Sequence, residues 1–535
     1  MTDTIQGWRH AVLPGSDTCL RCMAEQVAMT DRFFMRTGRQ LIATSPRHDN
    51  PFFKACVEAG GRLGLAHGIS IDRASLQVRS AATVCRHVRS EKMTTEAGGY
   101  RARPLSSYFH VAPVEWYVSP VHAVIGAEID FDVTGLVTAK ASGFLILYVG
   151  DDYYTRPWGG HCGKLSDALY LGVLEGVERL SGEADRDAQV AMQPPANTRL
   201  IDLDAFGVPR DCWKIPHPKV GAWVKASVIT AGPDGAFLLG ETVMIPERLA
   251  YYRAAHDHEP WVQDSSNGCA VGGSDEEAIL FGMLEAIERD AFMIAWYGNF
   301  DLSPIDPASI HDEESCAYLR RMELCGVDVV FLDATVGVGV PTVIAVCAEP
   351  SGATCVGAGA HPDPERALKS ALVETASDFQ VVAEHGKDRA AEIERMLNDF
   401  SLVRAMEDHA DLFALPQARQ YIDHWLHPIR SHVTLDSLRR APEAGVSVRD
   451  DLATTLHSCR DAGFEPLAVD MRSQIANRMG LACWKVVVPG LIPIDFGPYQ
   501  RAVHMPRLAQ RVAAVTGAPA SPASFVANPV PHPFP

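Results

Sequence analysis

The feature that most restricts the fold of this chain is a word that occurs twice. Gly172 to Arg179 reads GVLEGVER and Gly282 to Arg289 reads GMLEAIER, 110 residues apart. Both copies lie in helical text. At about 100° per residue, Glu175 and Glu178 share one helix face, and so do Glu285 and Glu288; Glu277 falls within roughly 80° of arc of Glu285. A single copy describes a solvated face with ordinary Glu/Arg pairs, worth about 0.2–0.5 kcal/mol each. Two copies mark equivalent structural positions, so the fold must hold two comparable helices. If these face each other they gather four or five carboxylates, which repel unless cations sit among them. Hard divalent ions, magnesium in particular, are bound by carboxylates together with substrate phosphates. No Gly-Lys-Ser/Thr loop precedes either copy, so the pattern points to a nucleoside triphosphate held through metal ions more than by a backbone nest.

The rest of the chain reads as mixed α/β. VEWYV, FLILYVG, AWVKASVITA, VDVVFLDATV, TVIAVCA and WKVVV predict strands, and Asp167 to Ser181, Asp275 to Trp296, Pro364 to Glu384 and Val446 to Ala462 predict helices. With 535 residues, 47% of them hydrophobic, the chain can bury a large core and exceeds one ordinary domain. Turn-rich text before Val114 places a boundary there, giving an N-terminal docking module over 1–113, a main domain over 114–520 and a Pro-rich tail over 521–535. The formal charge of −18 repels phosphates and anionic lipid headgroups, which excludes nucleic acid and membrane as broad partners. The first residues, MTDTIQGWRH, have no signal-peptide character, and the longest apolar run, Phe144 to Val149, is far shorter than a membrane span. Thirteen scattered cysteines, an odd number, predict free thiols in a reducing compartment, hence a cytoplasmic protein without disulfides. Cys19 and Cys22 form a Cys-x-x-Cys pair; zinc wants four ligands, and Cys85 and His87 make an irregular second half, so a zinc site stays open.

With these motifs on the page, the chain resembles the YcaO family. SSNGCAVGGSDEEAILFGMLEAIERDAF, Ser265 to Phe292, looks like that family's signature, CGKLSDALYLGVLEGVERLSGE, Cys162 to Glu183, like its earlier nucleotide motif, and GAGAHPDPERALKSALVETASDF, residues 357 to 379, like its third. VVVPGLIP and the terminal PHPFP also fit, and the likeness spans roughly Val114 to Pro535. The resemblance implies an α/β domain with an internal pseudo-repeat, binding ATP and magnesium. By matching position it implies Glu175, Glu178, Glu277, Glu285 and Glu288 as magnesium and nucleotide ligands, Glu374 as a nucleotide-binding residue, and Lys164, Ser266, Asn267, Arg179 and Arg289 as phosphate or ordering partners. Ser119 resembles the Ser of a Ser-Pro motif that opens such domains.

Three positions depart from the family pattern: Leu171 stands where Ser is usual, Phe281 where Gln is, and Ser370 where Arg is. Arg366, one helical turn before Ser370, is expected to supply the missing guanidinium, with Lys369 a less well-aimed substitute. Pro531, Pro533 and Pro535 form a Pro-x-Pro-x-Pro ending, which the resemblance ties to azoline formation with the tail inserted toward the reacting amide. The Ala/Ser/Pro-rich text around it forms neither helix nor central strand, so the tail is expected to be extended, with few buried contacts and little effect on stability. The implied reaction is ATP-dependent cyclodehydration of Cys, Ser or Thr in a leader-bearing precursor peptide. A separate leader-binding partner would deliver the peptide, and a flavin dehydrogenase would oxidise azolines to azoles; a homodimer stays open. The rivals are thioamide or amidine formation by the same activation, and a non-catalytic docking subunit.

Overall fold

The computed structural model describes residues 2–3, 8–12, 68–72, 78–81, 105–109, 114, 117–118, 125–126, 129–149, 152–183, 190–206, 220–233, 235–252, 262–263, 266–350, 352–441, 444–497, 505–517 and 526–535. Cys19, Cys22, Cys85, His87 and Ser119 lie outside these residues.

Four short strands, β1 (Thr2–Asp3), β2 (Trp8–Val12), β3 (Gly68–Asp72) and β4 (Val78–Ala81), pair in sequence order as an antiparallel sheet. A second sheet holds β5 (Ile129–Asp132), β6 (Ala139–Val149) and β7 (Asp152–Cys162). β7 is a sheet edge, and this is why it tolerates Pro157 and why alternation alone did not reveal it. Helix α1 (Leu165–Glu183) follows β7 and packs Val173 and Val177 with Leu145 and Trp158 of that sheet. VEWYV is not an extended strand in its described residues: Val114 is in a 3-10 turn, and Val118 makes one bridge to Gly126.

The largest sheet runs β12-β18-β17-β10-β11-β9, with β8 (Val190–Ala191) also on β10. Its members are β9 (Arg199–Leu200), β10 (Trp223–Ala231), β11 (Phe237–Pro246), β12 (Cys269–Gly272), β17 (Leu467–Asp470) and β18 (Ala482–Val487). Helix α2 (Asp275–Tyr297) begins at Ser274, whose side chain accepts the Glu277 backbone N–H. Its first half packs against this sheet with α5 (Val448–Asp461), and its second half enters another core. A helix buried along nearly its whole length is central to the fold.

That other core is built on β13 (Ser303–Pro304), β14 (Asp328–Asp333), β15 (Thr342–Ala348) and β16 (Thr354–Ala360), flanked by α3 (Glu313–Leu324) and α4 (Pro364–Asp388). Asp363 caps α4 with Pro364 in its first turn, and Ala367, Leu368, Ala371, Leu372, Thr375, Ala376 and Phe379 repeat at helical spacing on its buried side. A last helix, α6 (Pro506–Thr516), is tied to α2 by Arg507, whose guanidinium grips the buried Asp290 carboxylate at 2.5 and 2.6 Å. The tail then returns: Val530 and Phe534 belong to the same core as Phe292, Trp296 and Trp425. The expectation of few buried contacts was therefore wrong for its last residues. Proline prevents helix and ladder but not burial, and Phe534 supplies a large apolar side chain.

Among the described residues no helix is long and apolar enough to cross a membrane.

Candidate active site

Three strand–helix units meet at the centre of the molecule: β7 with α1, β12 with α2, and β16 with α4. In each, one helix glutamate accepts a backbone N–H from the strand before it or, for Glu285, from the turn that leads into that strand. Gly159 N donates to Glu175 Oε2 at 2.7 Å, Gly268 N to Glu285 Oε2 at 3.0 Å, and Ala358 N to Glu374 Oε2 at 2.9 Å. Donor and acceptor are 16, 17 and 16 residues apart. The third unit, not found as a repeat from the doubled word, carries the signal Ala-Leu/Ile-x-x-Gly/Ala-x-x-Glu: Ala168 to Glu175, Ala278 to Glu285 and Ala367 to Glu374. The small residues have a packing reason. A Cβ on Gly160 would lie 2.0 Å from Ala168 O, and one on Gly359 2.1 Å from Ala367 O, so helix and strand backbones touch. After its Glu, the third unit has Ser377 and Asp378 where the other two have Glu-Arg, which hid it from a search for the full word.

The second glutamates and the arginines set the electrostatics. Glu178 accepts from Tyr252 Oη at 2.8 Å, and burial pushes its pKa up to about 8, against the pull of Arg179 and with the push of Glu175 and Glu285. Burial also raises Glu288 and Glu374, opposed chiefly by the Arg289 guanidinium. Glu288 accepts from the Ala360 backbone. Asp378 is raised to about 6 by burial, offset by Lys140 and Arg289. Arg179 bonds Glu175 at 2.8 Å, whereas Arg289 stands 3.8 Å from Glu285, 3.7 Å from Glu288 and 4.0 Å from Glu374. The acids thus outnumber the cations beside them, and removal from water holds several partly protonated.

Glu288 and Glu374 open onto a cavity of about 820 Å³, also lined by His161, Asp312, Arg366, Lys369, Ser370 and Asp378. Glu277 is not brought to this cluster. Eight residues before Glu285 it lies about 12 Å up the helix axis, where it accepts from Tyr108 Oη and Gly273 N, both at 2.6 Å. A shared angular face does not cancel that axial rise. Lys164 stands exposed at the start of α1, about three turns before Glu175. Asn267 donates to Ile494 O at 2.9 Å, and the Ser266 carbonyl accepts from Cys269 N at 2.7 Å, so both shape the turn that presents Gly268 N to Glu285.

Arg366 lines the cavity together with Ser370 and Glu374. Its guanidinium donates to Gly445 O at 3.2 Å and lies 3.8 Å from Asp363, while Lys369 pairs with Glu314 and Asp312. The guanidinium beside Glu374 is Arg289, from another helix. The tail ends at the same place: Pro531 and Pro533 are buried, Pro535 is half-buried, and the Phe534 ring lies under the Arg289 guanidinium, 4.0 Å from its centroid. The Val530 carbonyl accepts from Trp296 Nε1, and His532 Nε2 donates to Asp495 O.

Three strand–helix units with half-buried carboxylates at their junctions define an α/β protein whose helices gather acids. The chain belongs to the YcaO family: the family model described as "YcaO cyclodehydratase, ATP-ad Mg2+-binding" matches residues 159–492. It is 28% identical over 349 residues to an uncharacterised protein of Methanothermobacter thermautotrophicus, covering 64% of this chain and 83% of that one. It is 32% identical over 275 residues to an uncharacterised protein in the tfuA 3′ region of Rhizobium leguminosarum bv. trifolii, covering 46% of this chain and 61% of the relative. Among solved structures, a heterocyclase in complex with substrate and cofactor superposes with a TM-score of 0.69 at 18% identity, over 98% of this chain and 76% of that chain. At that identity the likeness is one of fold.

Proposed function

We propose that this protein is an ATP- and magnesium-dependent peptide cyclodehydratase that converts Cys, Ser or Thr of a precursor peptide into thiazoline or oxazoline. The observation that carries the reading is where the Pro-x-Pro-x-Pro ending docks: Phe534 lies against Arg289, the guanidinium that stands within 4.0 Å of Glu285, Glu288 and Glu374, and the last two of these also line the cavity. The cavity is of a size to bury a nucleotide-sized ligand, for which about 300–1,000 Å³ is usual. The oxygen-only donor set and the desolvated acids fit hard cations. Among the described residues no three His, Cys, Asp or Glu side chains converge closely enough to cage a metal by themselves, and magnesium shared with phosphates needs fewer protein ligands than that. Glu175, Glu178, Glu285, Glu288 and Glu374 are the carboxylates assigned to hold it, and when bound it would neutralise and orient the triphosphate.

In the proposed reaction the substrate side chain attacks the preceding carbonyl carbon, its proton passing to a base at the cleft. The carbonyl oxygen takes the γ-phosphoryl group of ATP, releasing ADP. Loss of the amide proton and departure of phosphate leave the ring C=N bond, so the peptide loses one water and ATP becomes ADP and phosphate. Arg289 is assigned to steady phosphate oxygens by charge, and the Pro-x-Pro-x-Pro segment is assigned near the reacting amide, where positioning alone is worth large factors in rate. The peptide would arrive on a separate leader-binding partner docked through residues 1–113, and a flavin dehydrogenase would complete azoles. The test is mass spectrometry of the precursor peptide with this protein, the partner and Mg-ATP: loss of one water per ring supports the reading, and an unchanged peptide beside a folded protein supports a docking subunit instead.

A further inference from the structure

The arginines of the doubled word both lie over aromatic rings but are held differently. Arg179 sits 5.5 Å from the Tyr252 centroid and donates a close hydrogen bond to Glu175. Arg289 sits 4.0 Å from the Phe534 centroid and comes no nearer than 3.7 Å to any of its three carboxylates; its buried Nε, like that of Arg179, finds no hydrogen-bond partner. The ring is thus a fixed neighbour of the guanidinium, at a distance comparable with the three carboxylates. A guanidinium stacked on a ring gives its face to the ring quadrupole and keeps its in-plane N–H edge for an anion.

The ring cannot follow the arginine, because the tail around it is pinned. Phe534 meets Phe292 edge-on at 4.8 Å, and Val530 O accepts from Trp296 Nε1 at 2.8 Å. His532 is bonded through Nε2 to Asp495 O, its carbonyl accepts from His409 Nδ1 at 3.2 Å, and the two imidazoles lie 4.2 Å apart. Arg289 therefore meets a fixed ring on one face and three carboxylates around its edge.

We infer that Phe534 is a positioning residue, holding the Arg289 guanidinium edge toward the phosphates of a nucleoside triphosphate in the Glu285–Glu288–Glu374 cleft, so that tail docking and nucleotide affinity are coupled. This rests on the nucleotide reading of the cleft. It departs from a tail that only reaches toward the peptide.

The experiment has a nucleotide-free arm and a nucleotide arm, both on the full chain. Without nucleotide, the Arg289 Nε–H resonance, assigned by its loss in Arg289→Lys, is displaced by the ring current; Phe534→Leu removes the displacement and Phe534→Trp keeps it. In calorimetry with Mg-ATP, Phe534→Leu weakens affinity about tenfold, the scale of a desolvated cation–π contact, while Phe534→Trp stays near the parent. Arg289→Lys weakens it further, and adding Phe534→Leu to it changes nothing more, since both act through one group. Absence of the ring-current displacement, normal Mg-ATP affinity in folded Phe534→Leu, or additive losses in the double variant would overturn the inference. An unaltered chain that keeps the displacement but binds no Mg-ATP removes the nucleotide reading itself, and the coupling with it.

Discussion

Glu288 is a buried acid facing other acids, and its behaviour should depend on what fills the cleft. In the nucleotide-free protein, Glu288→Gln removes a charge that burial already disfavours, so the melting temperature should hold or rise. Mg-ATP turnover should fall about 100-fold or more, because several kcal/mol of charge stabilisation go with the carboxylate. Unchanged ATP consumption by a folded variant would return this helix to an ordinary polar surface. The neighbouring acids give a pH signature. Glu178 titrates at about 8 in the folded chain against an ordinary 4.5, so in that window the folded state holds a proton the unfolded state has lost. Its contribution therefore falls as pH rises from about 4.5 to about 8. Thermal melts of the nucleotide-free protein should lose stability across neutral pH, and Mg-ATP should restore more of it at pH 8 than at pH 6, since binding needs the acids ionised.

At the scale of elements, the strand–helix junctions make the most exacting demands. Gly160→Ala puts a methyl group about on top of Ala168 O and should cost roughly 1–3 kcal/mol or more, as overpacking does, with activity lost in proportion because Glu175 hangs from the same junction. A denaturant melt showing no loss would mean α1 does not lie this close to β7. On α4, Arg366→Ala and Lys369→Ala should each alter ATP use only a few-fold, since both side chains are engaged with the cavity wall, whereas Arg289→Ala should be severe; steady-state ATP kinetics decide this, and a dominant Arg366 would reinstate it as the substitute for the absent arginine. Much of this architecture was legible beforehand. Four helices were placed within a few residues of their observed ends, because their apolar spacing and caps agree. The Gly/Ala-rich β16 and the Pro-containing β7 were not, because their extended form is imposed by the neighbouring helix and strand and is not a preference of TCVGAGA or YYTRPWGGHC. Likewise Glu175, Glu178, Glu277, Glu285 and Glu288 were expected from the doubled word to gather and Glu374 from the resemblance to bind nucleotide, but spacing gives angle and not axial distance, and Glu277 is bonded to Tyr108 and Gly273 further up α2. Which arginine faces Glu374 depends on helix-to-helix packing that no local pattern encodes.

At the scale of the whole molecule, the last residues close the structure. The tail reaches back across more than two hundred residues of sequence to Phe292 and Trp296, so it is part of what holds the fold together. Phe534→Ala should cost about 3–5 kcal/mol, as truncating a buried aromatic does, and deleting Pro533 to Pro535 should lower the melting temperature as well as ring formation. Residues appended after Pro535 make the finer separation: the half-buried Pro535 can keep its packing while the cleft beside it is obstructed, so melting and Mg-ATP binding should stay near normal as ring formation collapses. The central claim is tested most directly by mass spectrometry of the precursor peptide, with phosphate release followed in the same reaction. The account predicts one water lost from the peptide and one phosphate released per ring, both abolished by Glu288→Gln. A folded, Mg-ATP-binding protein that leaves the peptide mass unchanged, or exchanges backbone oxygen for sulfur or nitrogen, would contradict it.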